Sequence, residues 1–339
     1  MDIPTKMKGL ALLEDGYANA PATQELTNLA PYVELREMDV PQPGPGLALI
    51  KVARAAVNPS DIAFIKGVYG QSRVKDQAAG FEGTGTVVAG DTPLLGQRVS
   101  FFAAGSGSWA EYCLAPIPML IPLRPDLRDE DAAGLIVNPL TAMAMFDIAR
   151  EDGADSFVVT AAGSQLGKFL IGLGKDHGIG ALAVIRREAQ AEALRALGAA
   201  DVLVTEGEGL EERLTELFEV HAPRILLDAV GDQISADLFF AMPERARWII
   251  YGRLSPTPPT LAQLPQFIFK QKQIEGFWLA SWLRNTPPEK IGAVIAEAQA
   301  RFAEGKWHTD ITASVRLDNA LAELPAAYSQ KDSKVLIEP

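Results

Sequence analysis

From residue 157 onward the chain repeats one unit, a short apolar run followed by a longer mixed stretch. The runs are FVVTA (157–161), ALAVI (181–185), DVLVT (201–205), RILLDAV (224–230) and RWIIYG (247–252). Short, continuously apolar and rich in β-branched residues, they read as strands buried on both faces. Between them AEALRALGA (191–199) is the clearest helix, closing on Gly198. Such alternation predicts a parallel sheet covered by helices, the doubly wound arrangement. QIEGFWL (273–279) reads as a sixth strand, and PPEKIGAVIAEAQARFAEG (287–305) as a helix after it.

The first 125 or so residues have another texture, rich in Gly, Pro and short runs such as LALIKVARAAV, GTGTVVAG, RVSFF and WAEYCLAP. This predicts an irregular all-β unit. With 339 residues there is material for two cores.

Two places in the alternating half suggest chemistry. The first strand runs into AAGSQLG (161–167), where Ala162-Gly163-Ser164-Gln165-Leu166-Gly167 occupies the frame of a dinucleotide-binding turn and only the last glycine is in place. The main chain of Gly163, Ser164, Gln165 and Leu166 lies at a helix start, where N–H groups favour an anion. Ser164 offers a hydroxyl as well as its N–H, and Gly167 permits close helix-to-strand packing. A purely structural turn stays open as the alternative. After the second strand, where an acid would bond the ribose hydroxyls of NAD, stand Arg186 and Arg187. Two cations at a helix start oppose its dipole, and the 2′-phosphate of NADP would relieve that cost. An arginine pair in solvent, salted by Glu188, is the other reading.

A net charge of −12 argues against nucleic acid or an anionic membrane as partner. No apolar run reaches the ~18 residues of a membrane span. The opening MDIPTKMKGLALLEDGY has neither a secretory h-region nor transit-peptide composition, so the expected location is cytoplasmic. Cys113 is the only cysteine, and His177, His221 and His308 lack metal-ligand spacing. No metal site is expected.

With these residues in view, the chain resembles a zinc-free member of the medium-chain dehydrogenase/reductase superfamily, the branch of NADPH:quinone oxidoreductases and 2-enoyl thioester reductases. NPSDIAFIKGVYG (58–70), AGFEGTG (79–85), VNPLTA (137–142), LGAADVLV (197–204), LLDAVG (226–231) and IIYG (249–252) fall in the family's order. IEGFWLASW (274–282) and NPSDIAFIKGVYG resemble the enoyl reductase branch in particular. Zinc-dependent relatives carry a Gly-His-Glu where this chain has Gly80-Phe81-Glu82, and a Cys just before Asn58 where it has Ala or Val.

The resemblance implies an α/β protein, a Rossmann doubly wound domain (126–280) plus a GroES-like β-rich catalytic domain (1–125, completed by 281–339). It implies hydride transfer from NADPH to an enone, an enoyl thioester or, alternatively, a quinone. Asn58, Asn138 and Thr141 would line the nicotinamide, with Tyr251 among the cofactor-binding residues. Phe277, Trp278 and Leu279 would pack on the nicotinamide or gate an acyl channel; a buried edge strand is the plainer account of all three. Tyr69, closing a glycine-rich loop, would donate the proton, unless it is a structural loop tyrosine. A homodimer is implied, since the last Rossmann strand often pairs with its copy. A non-catalytic NADPH-binding sensor or structural protein stays open.

Overall fold

The computed structural model describes residues 3–18, 25–103, 106–330 and 333–339. Its contacts divide the chain into two compact units, Met1–Val137 with Ile295–Pro339, and Asn138–Val294.

The first unit opens on a hairpin-like pair, β1 (Lys6–Leu12) antiparallel to β2 (Val33–Asp39). Next come β3 (Leu47–Val57), α1 (Pro59–Ile65), β4 (Glu82–Ala89), β5 (Arg98–Phe102), β6 (Tyr112–Pro116) and β7 (Leu120–Pro122). Helix α1 starts where it does because the Asp61 carboxylate accepts from Asn58 N–H (2.7 Å) across the first turn and Pro59 presets the first helical φ. Helix α2 (Asp129–Ala133) follows, and α3 (Val137–Asp152) leads into the second unit.

The second unit continues from α3 into β8 (Ser156–Val159), α4 (Gln165–His177), β9 (Gly180–Ile185), α5 (Ala191–Leu197) and β10 (Asp201–Val204). It goes on through α6 (Leu210–His221), β11 (Ile225–Asp228), α7 (Gln233–Ala241), β12 (Arg247–Ile250), α8 (Pro265–Phe269) and β13 (Gln273–Gly276). The sheet is six-stranded in the order β10-β9-β8-β11-β12-β13, and every pairing is parallel. Renumbered from β8 this is the 3-2-1-4-5-6 order of a Rossmann sheet, with its switch point between β8 and β11. All of β8 and β11 is buried, as continuous apolar runs require. Lys272, just before β13, is buried too, and its Nζ donates to the carbonyls of Phe239 (2.8 Å), Phe240 (2.9 Å) and Met242 (2.6 Å) at the end of α7.

Two expectations change here. The run 273–279 is a strand only as far as Gly276; Phe277 still donates its N–H to Ile250 O (2.8 Å), but Trp278 already caps α9 (Leu279–Asn285). The N–H groups of Ser281 and Trp282 bond Trp278 O, which closes the helical turn and ends strand pairing. Arg186 and Arg187 do not open a helix either. They precede a 3₁₀ turn at Glu188–Gln190, and α5 begins only at Ala191.

After α10 (Pro288–Ala303) the chain supplies β14 (Ile311–Arg316), α11 (Ala320–Tyr328) and β15 (Lys334–Glu338). Strand β15 pairs antiparallel with β3, completing a seven-stranded sheet ordered β14-β15-β3-β4-β5-β7, with β6 also on β3. Its core includes Ile50, Phe81, Phe101, Trp109 and Ile337. Among the described residues no helix is long and apolar enough to cross a membrane.

Candidate active site

In the second unit the turn after β8 is tightly determined. Ala161 has a left-handed φ of +48°, a conformation that costs a non-glycine residue free energy. It is held by its neighbours: Thr160 N–H donates to Leu227 O (3.1 Å) and Ala162 N–H to Val184 O (3.2 Å). Ser164 caps α4, its Oγ accepting from Gly167 N at 3.2 Å. Its own N–H donates to Ala161 O at 2.9 Å, so what Ser164 offers a ligand is the hydroxyl, not the N–H expected from sequence. A Cβ on Gly167 would stand 2.5 Å from Ala162 O, so the last glycine is required by helix-to-strand packing. Gly163 faces the Gln190 carboxamide, whose Oε1 would lie 2.1 Å from a Cβ there. Gln165 and Leu166 are buried in the first turn of α4.

Beside this turn, at the switch point, lies a residue the sequence reading missed. Asp228 is fully buried at the end of β11. Its carboxylate accepts from Thr160 Oγ1 (2.6 Å), Trp248 Nε1 (2.8 Å), Ser235 Oγ (2.9 Å), Val230 N (3.0 Å) and Gly231 N (3.1 Å). Such a donor set is what allows a buried carboxylate without a cation. It fixes the 228–231 loop against Thr160. Tyr251 donates its N–H to Asp228 O (2.9 Å), and its hydroxyl is buried with no hydrogen-bond partner among the described residues. Burial, with the Asp228 charge added, holds that phenol above its ordinary range.

Arg186 and Arg187 are exposed at the end of β9, with Arg186 Nε 3.4 Å from Glu206. Glu188, the expected partner, lies instead 3.9 Å from Arg195. Phe277 and Trp278 line an open cleft of about 350 Å³ with Ala144, Asp147, Ile148 and Glu151 of α3 and Ser281, Trp282, Asn285 and Lys290. The Arg284 guanidinium lies 5.0 Å from the Trp278 ring centroid. Leu279, Asn138 and Thr141 are not among the cleft's lining residues; Thr141 is buried and Asn138 half-buried in the first turns of α3.

In the first unit Asn58 sits in a buried polar cluster. Its Nδ2 donates to Glu82 Oε1 (2.8 Å), and Lys334 Nζ donates to its Oδ1. Glu82 also accepts from the N–H groups of Ile136 (3.1 Å) and Val137 (2.9 Å), and Asp61 accepts from Asn58 N (2.7 Å) and Phe81 N (2.9 Å). Burial pushes the Asp61 carboxyl up to about 7, and burial lowers the Lys334 ammonium against the pull of Glu82 and Asp61. Both ends of the Asn58 amide are therefore engaged within the protein. Tyr69, half-buried on the loop after α1, has its ring centroid 5.2 Å from that of Phe81, whose centroid in turn lies 4.9 Å from that of Phe64 and 5.7 Å from that of Phe102. Among the described residues no cluster of His, Cys, Asp and Glu is arranged to hold a metal ion.

Residues 44–125 match the alcohol dehydrogenase GroES-like domain family. The chain is 30% identical over 255 residues to the mitochondrial enoyl-[acyl-carrier-protein] reductase of Rattus norvegicus, covering 73% of this chain and 68% of that one. It is 48% identical to a solved structure of a candidate NADPH:quinone reductase from Mesorhizobium loti, with a TM-score of 0.96 and all of both chains covered. A solved complex of Etr1p with NADP and crotonyl-CoA, 21% identical, shares the fold with a TM-score of 0.79 over 98% of this chain and 100% of that one. A GroES-like β unit joined to a Rossmann unit defines a two-domain oxidoreductase. The chain belongs to the quinone oxidoreductase and enoyl thioester reductase-like branch of the medium-chain dehydrogenase/reductase superfamily.

Proposed function

We propose that this oxidoreductase uses NADPH to reduce the carbon–carbon double bond of a 2-enoyl thioester or other α,β-unsaturated carbonyl, with Tyr69 as proton donor. The observation that carries the reading is a half-buried phenol at the end of NPSDIAFIKGVYG, in a chain similar to named enoyl reductases. The support for NADPH is the α4 start behind the Ser164 hydroxyl, the exposed Arg186 and Arg187, and the Tyr251 hydroxyl, buried without a hydrogen-bond partner among the described residues. When bound, NADPH would supply the hydride that the β-carbon accepts. The double-bond electrons then move onto the carbonyl oxygen, and the enolate takes a proton at its α-carbon from the Tyr69 hydroxyl, which water reprotonates. Arg186 and Arg187 bind the 2′-phosphate, Gly163 to Leu166 carry the pyrophosphate, and Phe277 and Trp278 form an apolar wall. Asn58, Asn138, Thr141 and Leu279 would be the remaining cofactor neighbours.

Tyr69→Phe tests the donor role. NADPH binding is expected to stay as it is, while kcat on crotonyl-CoA falls by ~10²–10⁴. Quinone turnover is expected to suffer less, because reduced quinone oxygens take protons from water. Undiminished enoyl turnover would move Tyr69 to a structural role and favour the second reading, an NADPH:quinone reductase, which the similarity to the Mesorhizobium loti protein supports. Following NADPH absorbance with crotonyl-CoA, a simple enone and benzoquinone separates the two readings; no turnover with any would favour a non-catalytic NADPH-binding protein.

A further inference from the structure

Arg73 is 5% exposed, and its nearest carboxylate, Glu14 at 3.5 Å, is on an exposed side chain. A buried guanidinium with no buried counter-charge is costly to desolvate, so what it bonds matters. It bonds main chain. NH1 donates to Ile65 O (3.1 Å) at the end of α1, Nε to Gly16 O (3.0 Å) and NH2 to Asp15 O (3.4 Å). Residues 15–18 are joined to the same loop along its length. Gly16 and Arg73 exchange main-chain bonds of 3.0 and 3.3 Å, Ala18 N–H donates to Gly67 O (2.8 Å), and Lys75 N–H donates to Asp15 Oδ1 (2.6 Å). Gly67 is left-handed (φ +72°), and a Cβ there would stand 2.7 Å from both Ala18 N and the Arg73 guanidinium. The guanidinium thus fills the space that the glycine leaves open. Tyr69 lies between these two residues, on the arc they pinch.

We infer that Arg73 is a positioning residue: with Gly67 it clamps the Tyr69 loop onto residues 15–18 and so holds the phenol in place, acting on the reaction only through Tyr69. The inference rests on the reading of Tyr69 as proton donor, which Tyr69→Phe tests by itself. Arg73→Met keeps the apolar stem and removes every side-chain donor. Its kcat on crotonyl-CoA is expected to fall about tenfold to a hundredfold, the effect of a small misplacement of a catalytic group, with KM for NADPH little changed. In a Tyr69→Phe background the same substitution should add little, and the ratio of crotonyl-CoA to benzoquinone turnover should drop in the single variant. Arg73→Lys, which keeps a cation able to reach some of the carbonyls, should recover part of the loss. Gly67→Ala presses on the same guanidinium without removing the charge and should reproduce the pattern, so misfolding of one variant leaves the other as the test. Equal losses in both backgrounds, or equal losses with benzoquinone, would overturn the inference. Hydrogen exchange of amides 66–73 separates the two failures. Faster exchange in Arg73→Met supports the clamp even if Tyr69→Phe is fully active, in which case the donor reading has failed; unchanged exchange overturns the clamp whatever Tyr69 does.

Discussion

Arg186 already has a carboxylate beside it, yet Glu206 is 3.4 Å away and both side chains are well exposed. Such a surface pair contributes about 0–1 kcal/mol, against about 1.5–3 kcal/mol for a hydrogen bond to a charged group, so a 2′-phosphate bound here, as proposed, would displace it. NADPH is therefore expected to bind roughly tenfold to a hundredfold more tightly than NADH. Replacing Arg186 and Arg187 together by Ala should erase most of that difference and spare NADH; titration with both cofactors reads it, and equal affinities in the unaltered protein would defeat it. Asp61 offers a different measurement. Burial pushes its carboxyl up to about 7, helped by the Glu82 charge and opposed by the Asn58 N–H and the Lys334 ammonium; Tyr328 also faces it. In the unfolded chain a carboxyl titrates near 3.9, so between about pH 4 and 7 the folded protein holds a proton that the unfolded chain has released. Its contribution to stability is thus fullest below about pH 4 and is lost as pH rises through about 7. Denaturation at several pH values should show the parent losing stability relative to Asp61→Asn across that window. A pH-independent difference would contradict the raised titration.

At the scale of elements, the turn between β8 and α4 ties packing to the proposed cofactor site. A methyl group on Gly167 would meet Ala162 O at 2.5 Å and push α4 from the strand end, disturbing the Ser164 cap as well. Gly167→Ala is expected to lower stability by about 1–3 kcal/mol and to weaken NADPH binding; denaturation and cofactor titration would report both, and a neutral result would mean the helix shifts freely. That requirement is legible in sequence, because glycine there has a known packing role. The parallel strands are legible for a similar reason: buried runs alternating with helices leave few topologies open. The run 273–279 is only half legible, since apolarity over so short a stretch does not tell a strand from the first residues of α9. The polar clusters are the illegible part. Lys334 meets Asn58 from 276 positions away, and Arg73 meets Gly16 from 57, distances over which periodicity says nothing. One signal was available: an Asp inside the apolar run RILLDAV must find partners once buried, and Asp228 finds them in Thr160, Ser235 and Trp248.

At the scale of the whole molecule, the open edge of the Rossmann sheet calls for a partner. Strand β13 ends the strand order, and among the described residues it pairs with β12 alone. A free edge of this kind is a template for another chain, and natural sheets shield it with charge, proline or a covering segment. Here the charge is spent: Glu275 is held by Arg247 at 2.7 Å across the strands. The segment just before β13 adds apolar surface instead of shielding, with Ile268 72% and Phe269 79% exposed at the end of α8. An antiparallel pairing of β13 with its own copy about a two-fold axis satisfies both edges at once, which a single self-complementary patch permits. A homodimer is therefore expected, with a mass in solution twice that of the chain. Ile268→Glu combined with Phe269→Glu places repelling charges on the patch and should shift the species toward monomer at low micromolar concentration, as read by light scattering. A monomer mass for the unaltered protein would end this assignment, and a dimer indifferent to the double substitution would move the interface away from α8.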